Sequence, residues 1–264
     1  VVAMACLKHG KHIYLQKPLA HSIVEVRKLT EAAREAKVQT QMGNQGHSSE
    51  EIRMLCEWIA DGAIGPVREV YAWSDRPVGG DPWSDFPIMA RPKETPPVPA
   101  TLDWDLWLGP AQYRPYHPIY CPLSWRGWWD FGTGALGDMG CHIIDPAFWA
   151  LKLGAPTRVE ATTTHYQPEV ASETYPRAAV VRYEFPARGD MPPVKLTWCD
   201  GRLLPPRPRD LERGRRLQGN GAIFIGDKGT IMHGSHGAGG LRIVPEEKMR
   251  AYKRPEKTLP RVRR

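Results

Sequence analysis

At 264 residues, with 41% hydrophobic and 25% charged content, the chain has the composition of a globular protein and the length of one large domain or two ordinary ones. No apolar run approaches the ~20 residues that cross a bilayer, so a membrane role is not expected. The net charge of +7 concentrates in Arg207, Arg209, Arg213, Arg215 and Arg216 and again in Arg250, Lys253, Arg254, Lys257, Arg261, Arg263 and Arg264. Such clusters are either phosphate footprints or a solvated loop and a frayed tail. Neither carries the interleaved aromatics that single-strand binders use, and no nucleic-acid partner is expected.

Residues 1–9 read as the later part of an amphipathic helix already under way at residue 1, which predicts further sequence upstream. Lys11 to Gln16 reads as a short strand ending at Lys17-Pro18. Ser22 caps a helix whose apolar positions Val26, Leu29, Ala32, Ala33 and Ala36 keep helical spacing, and Val38 to Met42 reads as the next strand. Helix, strand, helix, strand is the order of a parallel sheet with crossover helices. Ser48 or Ser49 then caps a helix from Glu50 to Asp61, and Val67 to Ser74 alternates as a strand.

From Asp75 to Pro122 the chain is rich in Pro and Trp and poor in periodic runs. Helix returns over 137–152. After it, Arg158–Tyr166, Ala178–Phe185, Val194–Cys199, Gly221–Ile225 and Gly229–His233 read as strands without intervening helices, hence an antiparallel sheet. Asp227-Lys228-Gly229 is the expected hairpin turn between the last two. The five cysteines (Cys6, Cys56, Cys121, Cys141, Cys199) are widely spaced with no Cys-x-x-Cys, so neither a disulfide framework nor a zinc ribbon is expected.

Two short segments point to chemistry. In a helix, Asp138, His142 and Asp145 of Gly137-Asp-Met-Gly-Cys-His-Ile-Ile-Asp145 fall at i, i+4 and i+7 on one face. A carboxylate one turn from an imidazole can orient it, or share a substrate hydroxyl with it, and histidine exchanges protons near neutrality. Gly132, Gly134 and Gly137 would let backbone approach a ligand. The same residues also fit an ordinary helix with a capping Asp, or a metal site completed from elsewhere; His9/His12 and His233/His236 are spaced as chance would have it. In the second segment, Gln16-Lys17-Pro18, a Lys stands at a strand's carboxyl end, where open α/β sheets bind ligands. A surface Lys before Pro reads equally well there.

Taken together, Lys17-Pro18 after a parallel strand and a Gly-rich approach to Asp138-x-x-x-His142 resemble the Gfo/Idh/MocA family of oxidoreductases, named for glucose–fructose oxidoreductase, inositol dehydrogenase and a rhizopine-catabolism protein. The link Gly62-Ala-Ile-Gly-Pro-Val67 belongs to the resemblance; Gln16 departs from the family's Glu-Lys-Pro. The resemblance implies an α/β plus α+β fold. Residues 1–46 would be the C-terminal remnant of a Rossmann-type NAD(P)-binding domain. Residues 47–264 would be a substrate-binding and oligomerisation domain with a mainly antiparallel open sheet, incomplete at its C-terminus.

It further implies a hydride transfer between nicotinamide and a ring hydroxyl or ketone of a sugar or cyclitol. The cofactor is NAD or NADP; no metal is implied. Lys17, Asp138 and His142 are the implied catalytic residues: His142 takes the hydroxyl proton, Lys17 stabilises the negative charge, and Asp138 holds a neighbouring hydroxyl. Gln16, Lys17, Pro18, Asn44 and Gln45 would face the cofactor. Trp125 and Arg126, with Asp138 and His142, would contact a sugar or polyol substrate, while the other aromatics between Trp104 and Trp129 suit either a carbohydrate or core packing.

The Gly-x-Gly-x-x-Gly that opens such domains does not precede Lys17, so these residues alone would be catalytically incomplete. Net glycoside hydrolysis by transient oxidation, or a non-catalytic binding and oligomerisation module, are the alternatives on this fold. A homo-oligomer through the C-terminal sheet is expected, with a cytoplasmic location as the default and a periplasmic one left open.

Overall fold

The structure is a computed structural model that describes residues 1–164 and 167–262. The first part holds α1 (Val2–Lys8), β1 (Ile13–Gln16), α2 (Ile23–Ala36) and β2 (Thr40–Gly43). The strands pair in parallel, with Ile13 opposite Thr40 and Gln16 opposite Gly43. Ser22 and Glu25 form a capping box that sets the start of α2, since each side chain satisfies an amide left free by the helix. This two-stranded sheet is poorly covered: Tyr14 is 66% exposed, and Ile23 and Val24 of α2 face solvent.

After a 3-10 turn over Gln45–Ser48 comes α3 (Glu50–Ala60), capped by the Ser49 hydroxyl on the Ile52 amide, then β3 (Val67–Trp73). The long Pro- and Trp-rich segment contains α4 (Trp104–Leu108) and a 3-10 turn over Ser124–Gly127. It packs on its own aromatics: Trp104, Tyr120 and Trp128 are buried with Trp107, Tyr116 and Phe131 against them. At their centre the buried Arg114 lies over three aromatic rings and ion-pairs with Asp130 and Glu173.

The helix expected over 137–152 is two helices, α5 (Gly134–Ile143) and α6 (Asp145–Ala150). Pro146 is the cause: it has no amide to donate to the carbonyl of His142, and it suits the first turn of a new helix instead. There follow β4 (Arg158–Thr163), α7 (Pro168–Ala171), β5 (Ala179–Phe185), β6 (Val194–Cys199), β7 (Gly221–Gly226), β8 (Gly229–His233), a 3-10 turn over His236–Ala238, β9 (Arg242–Val244) and α8 (Glu246–Ala251). The expected strand 158–166 ends at Thr163, and its Tyr166 lies outside the described residues. Asp227-Lys228 is the two-residue hairpin between β7 and β8.

One sheet in the order β4-β5-β6-β3-β7-β8-β9 results. It is antiparallel except where β3, the first of its own strands along the chain, enters beside β6 as a parallel neighbour. The fold is thus mixed α/β with a large, mostly antiparallel sheet, as expected. Ile52, Leu55 and Trp58 of α3, Met139 and Ile143 of α5 and Ala147 of α6 pack on one sheet face against Val70, Trp198 and Phe224, forming the main core.

The C-terminal tail is not frayed up to Arg261. Glu57 of α3 accepts the Thr258 and Leu259 amides at 2.8 and 3.0 Å and both Arg261 guanidinium nitrogens, at 2.8 and 2.7 Å. Arg263 and Arg264 lie outside the described residues. Arg261 and the two amides pull the Glu57 carboxyl from 4.5 down to about 2. Because the folded value is the lower one, this anchor is complete above pH 4.5 and is lost as pH falls towards 2. The protection of the Thr258 and Leu259 amides against hydrogen exchange, relative to the intrinsic rate at each pH, is expected to fall across that window, and at neutral pH in Glu57→Gln. Unchanged protection in the variant would show that the tail is held by something else.

Candidate active site

Four groups in the site stand just beyond the ends of strands. Lys17 follows β1 directly and precedes a cis bond to Pro18, Asn44 follows β2, Arg76 lies just beyond β3, and His236 follows β8. Asp138 and His142 come from one face of α5, which packs beneath them. Arg126 sits in the 3-10 turn that leads into α5. The strand ends are pinned by their neighbours: Ser74 donates to Cys199 at 3.0 Å, and the Arg76 carbonyl accepts the Gly201 amide at 2.6 Å.

Lys17 is tied to residue 138 twice. Its ammonium donates to the Asp138 carbonyl at 2.8 Å and to Oδ1 at 2.9 Å. Arg76 donates to the other carboxylate oxygen, and the Arg126 Nε lies 3.5 Å from Oδ1. Asp138 is buried, and burial alone would raise its pKa. Arg76 and Lys17 outweigh that, so the carboxyl stays ionised below its ordinary value.

His142 is held through Asn44. The Asn44 Nδ2 donates to the Cys141 carbonyl at 2.6 Å, which leaves Oδ1 facing His142 Nδ1 at 2.8 Å. A flipped amide would set oxygen against a carbonyl oxygen, so the hydrogen-bond pattern fixes the orientation. With an acceptor opposite Nδ1, that nitrogen carries the proton and Nε2 keeps its lone pair. Burial, then the neighbouring His236 and Lys17, push the imidazole down to about 4. His142 is therefore a neutral acceptor throughout the physiological range. Nitrogen-detected NMR is expected to show a proton on Nδ1, a bare Nε2, constant shifts through neutrality and a titration near 4. A midpoint near the ordinary 6.5 would contradict the buried, cation-facing geometry.

The candidates from sequence thus separate. Lys17, Asp138, His142 and Arg126 come together. Asn44 is buried with both ends of its amide engaged, so in this geometry it orients His142; Gln16 and Gln45 are exposed beside it at the strand ends. Trp125 lies under the Arg126 guanidinium, 5.6 Å from it, and lines a hollow of about 420 Å³ with His21, Trp107 and Phe131. Asp145 does not share the face of His142. The break before Pro146 turns it towards His47, 2.9 Å away. The glycines serve packing within the chain rather than a ligand: a side chain on Gly132 would strike the Arg126 carbonyl, and Gly134, at φ +62°, lies against the Tyr175 ring.

Arg76 and His236 were not singled out by sequence. Arg76 lies in the irregular Pro-rich segment. The His236 spacing from His233 carries no signal, yet its ring sits 4.1 Å from that of His142. Among the described residues, no three His, Cys, Asp or Glu side chains converge as a metal site, and no helix is long and apolar enough to cross a membrane.

Residues 78–185 match the family model for the oxidoreductase family's C-terminal alpha/beta domain, in its Gfo/Idh/MocA form. This segment is similar to the Gfo/Idh/MocA oxidoreductase C-terminal domain. No curated protein sequence matches the chain. Among solved structures, an NAD-binding oxidoreductase from Klebsiella pneumoniae matches at 19% identity and TM-score 0.56, over 91% of this chain and 52% of that one. An inositol dehydrogenase homologue from Azotobacter vinelandii, solved with NADH and myo-inositol, matches at 15% and 0.54, over 92% and 52%. A levoglucosan dehydrogenase solved with NADH and levoglucosan matches at 19% and 0.54, over 88% and 50%. At such identities the likeness is one of fold, and the chain spans about half the length of the structures it matches.

The Gfo/Idh/MocA match covers the segment carrying Arg126, Asp138 and His142; Lys17, Asn44, Arg76 and His236 meet them from outside it.

Proposed function

We propose that this chain supplies the substrate side, and part of the nicotinamide side, of an NAD(P)-dependent dehydrogenase acting on a ring hydroxyl or ketone of a sugar or cyclitol. Residues 1–46 would be the end of the cofactor domain, and 47–264 the substrate domain. The observation that carries the reading is the neutral, Nε2-basic His142 next to a lysine anchored on Asp138, at the carboxyl ends of two parallel strands.

The residues fit a nicotinamide at that place. Lys17, Gln16 and Gln45 offer polar groups at the ends of β1 and β2. No pyrophosphate-binding glycine loop lies among these residues, so the chain's own contacts would be to the nicotinamide half. When bound, a nicotinamide supplies the acceptor for the hydride. His142 Nε2 takes the hydroxyl proton as the alcohol becomes a ketone. Lys17 stabilises the negative charge on that oxygen, and Asp138 keeps Lys17 in place. General-base help of this kind is worth ~10²–10⁴-fold.

The other face of the large sheet, where Tyr71, Ile225 and Met232 are only partly buried, is where copies of the chain would associate, and light scattering after size exclusion tests this. Titration with NADH and NADPH, following nicotinamide fluorescence, tests the function itself. It is run on this chain and on a version carrying whatever its reading frame encodes upstream. Binding by either, followed by turnover of a sugar or cyclitol, supports the proposal. If neither version binds either cofactor, the redox reading fails.

A further inference from the structure

The site carries more positive charge than the proposed reaction uses. Lys17, Arg76 and Arg126 surround one carboxylate, that of Asp138, and all three are largely withdrawn from water, with side-chain exposures of 17, 20 and 18%. His142 and His236 are both biased towards neutrality by burial and by Lys17 and Arg76. Two positive charges are therefore left without a partner at the centre.

The nearby acids do not supply one. Asp81 is close enough to feel Arg76, but it is occupied by Ser84 and by the Trp83 amide. Asp75 accepts from Asn220, and Asp145 faces His47. Lysine alone would serve Asp138, which it already binds through two oxygens. Among the described residues Arg76 uses only Nη1, on Asp138, while Arg126 donates Nη1 to the Leu123 carbonyl and keeps Nη2 free. None of the remaining guanidinium donors is a buried orphan, so they open to water. A neutral ring hydroxyl has no need of two half-used guanidinium groups; a planar anion matches their fork.

We propose that the substrate is a sugar acid, whose carboxylate is received by Arg76 and Arg126 while its reacting hydroxyl lies at His142 and Lys17. This rests on the sugar or cyclitol reading above and names the substrate class within it. A carboxylate is the anion this cluster already accommodates, in Asp138. It would also offset a positive field that opposes the cationic ring of an oxidised nicotinamide.

The test is direct binding, with no cofactor present. Isothermal titration compares D-glucuronate and D-galacturonate with D-glucose and D-galactose, and with glucose 6-phosphate. At least one of the two acids is expected to bind about ten- to a hundredfold more tightly than its neutral counterpart, the scale of one charge-assisted pair. Arg76→Gln and Arg126→Gln are each expected to shrink that preference, with folding checked by circular dichroism. The His142 NMR titration adds an independent readout: the acid, and not the neutral sugar, is expected to move its midpoint upward by cancelling the cations. Equal binding of acid and neutral sugar, no binding of either acid, a preference for the phosphate, or a preference that survives both substitutions would each overturn the inference. These results are separate from the nicotinamide titration. A sugar acid bound through Arg76 and Arg126, with NAD(P)H bound by neither this chain nor its extended version, would sink the redox reading and leave the carboxylate site standing.

Discussion

His142→Asn is expected to lower turnover with a sugar or sugar acid by ~10²–10⁴-fold, the range that a positioned general base supplies. Asparagine fills similar space and can still meet Asn44, so the loss should fall mainly on the proton-transfer step, with the substrate's KM changed far less. The pH profile separates chemistry from support. In the free protein His142 sits near 4, so the wild-type rate should stay level through neutrality and fall only on the acid side. The variant should be slow everywhere and lose that acid limb.

A base with so low a pKa is a weak one. The cations that lower it are those an anionic substrate would neutralise, so the acid limb should lie higher in kcat than in kcat/KM if the substrate is a sugar acid. His236 supplies the control. It touches the His142 ring but no hydrogen bond joins the two, so His236→Gln should alter the midpoint of the limb through desolvation and charge without abolishing turnover. If His142→Asn retains wild-type rates in a protein that turns over NAD(P)H, His142 is structural and the mechanism is wrong.

Much of this geometry was legible in the sequence wherever local pattern and spacing carry it. The capping box at Ser22, the alternation in β3 and the strands from Ala179 to His233 are local signals, and each element formed within a few residues of its expected place. The pair Asp138 and His142 was readable because four residues is one helical turn. Arg76 and His236 were not, because what brings them in is the long-range pairing of β3 with β6 and β7, and of β7 with β8. Two carboxyl ends land beside α5, and no spacing along the chain encodes that. Pro146 is visible in the sequence, but its turning of Asp145 away from the face of His142 follows from the two helices it separates. The role of Asn44 as the arm that orients His142 is likewise tertiary: the two residues lie 98 positions apart. The aromatic run offered two readings, ligand and core, and Trp104, Tyr120 and Trp128 chose the core. Trp125, beneath Arg126, stays near the site.

Asp138→Asn is expected to be the most destabilising single change in the site. It leaves Lys17, Arg76 and Arg126 facing one another with no counter-charge and turns amide hydrogens towards at least one cation. Breaking a buried pair by removing one partner costs about 3–5 kcal/mol. The three cations keep some contact with water and Lys17 keeps the Asp138 backbone carbonyl, so about 3 kcal/mol, the lower end, is the expected loss in chemical denaturation at neutral pH. The same loss should be reachable in the wild type by acid. The folded carboxyl titrates below its ordinary 3.8, so its contribution is complete above that value and disappears as pH falls through the lowered one. The variant should then show a weaker acid dependence than the wild type. Adding Arg76→Gln should return part of the stability, since it removes one of the repelling charges along with its need for a partner. Stability unchanged in Asp138→Asn at neutral pH would mean that solvent already screens these charges; the excess that calls for a substrate carboxylate would then be too weak to select one.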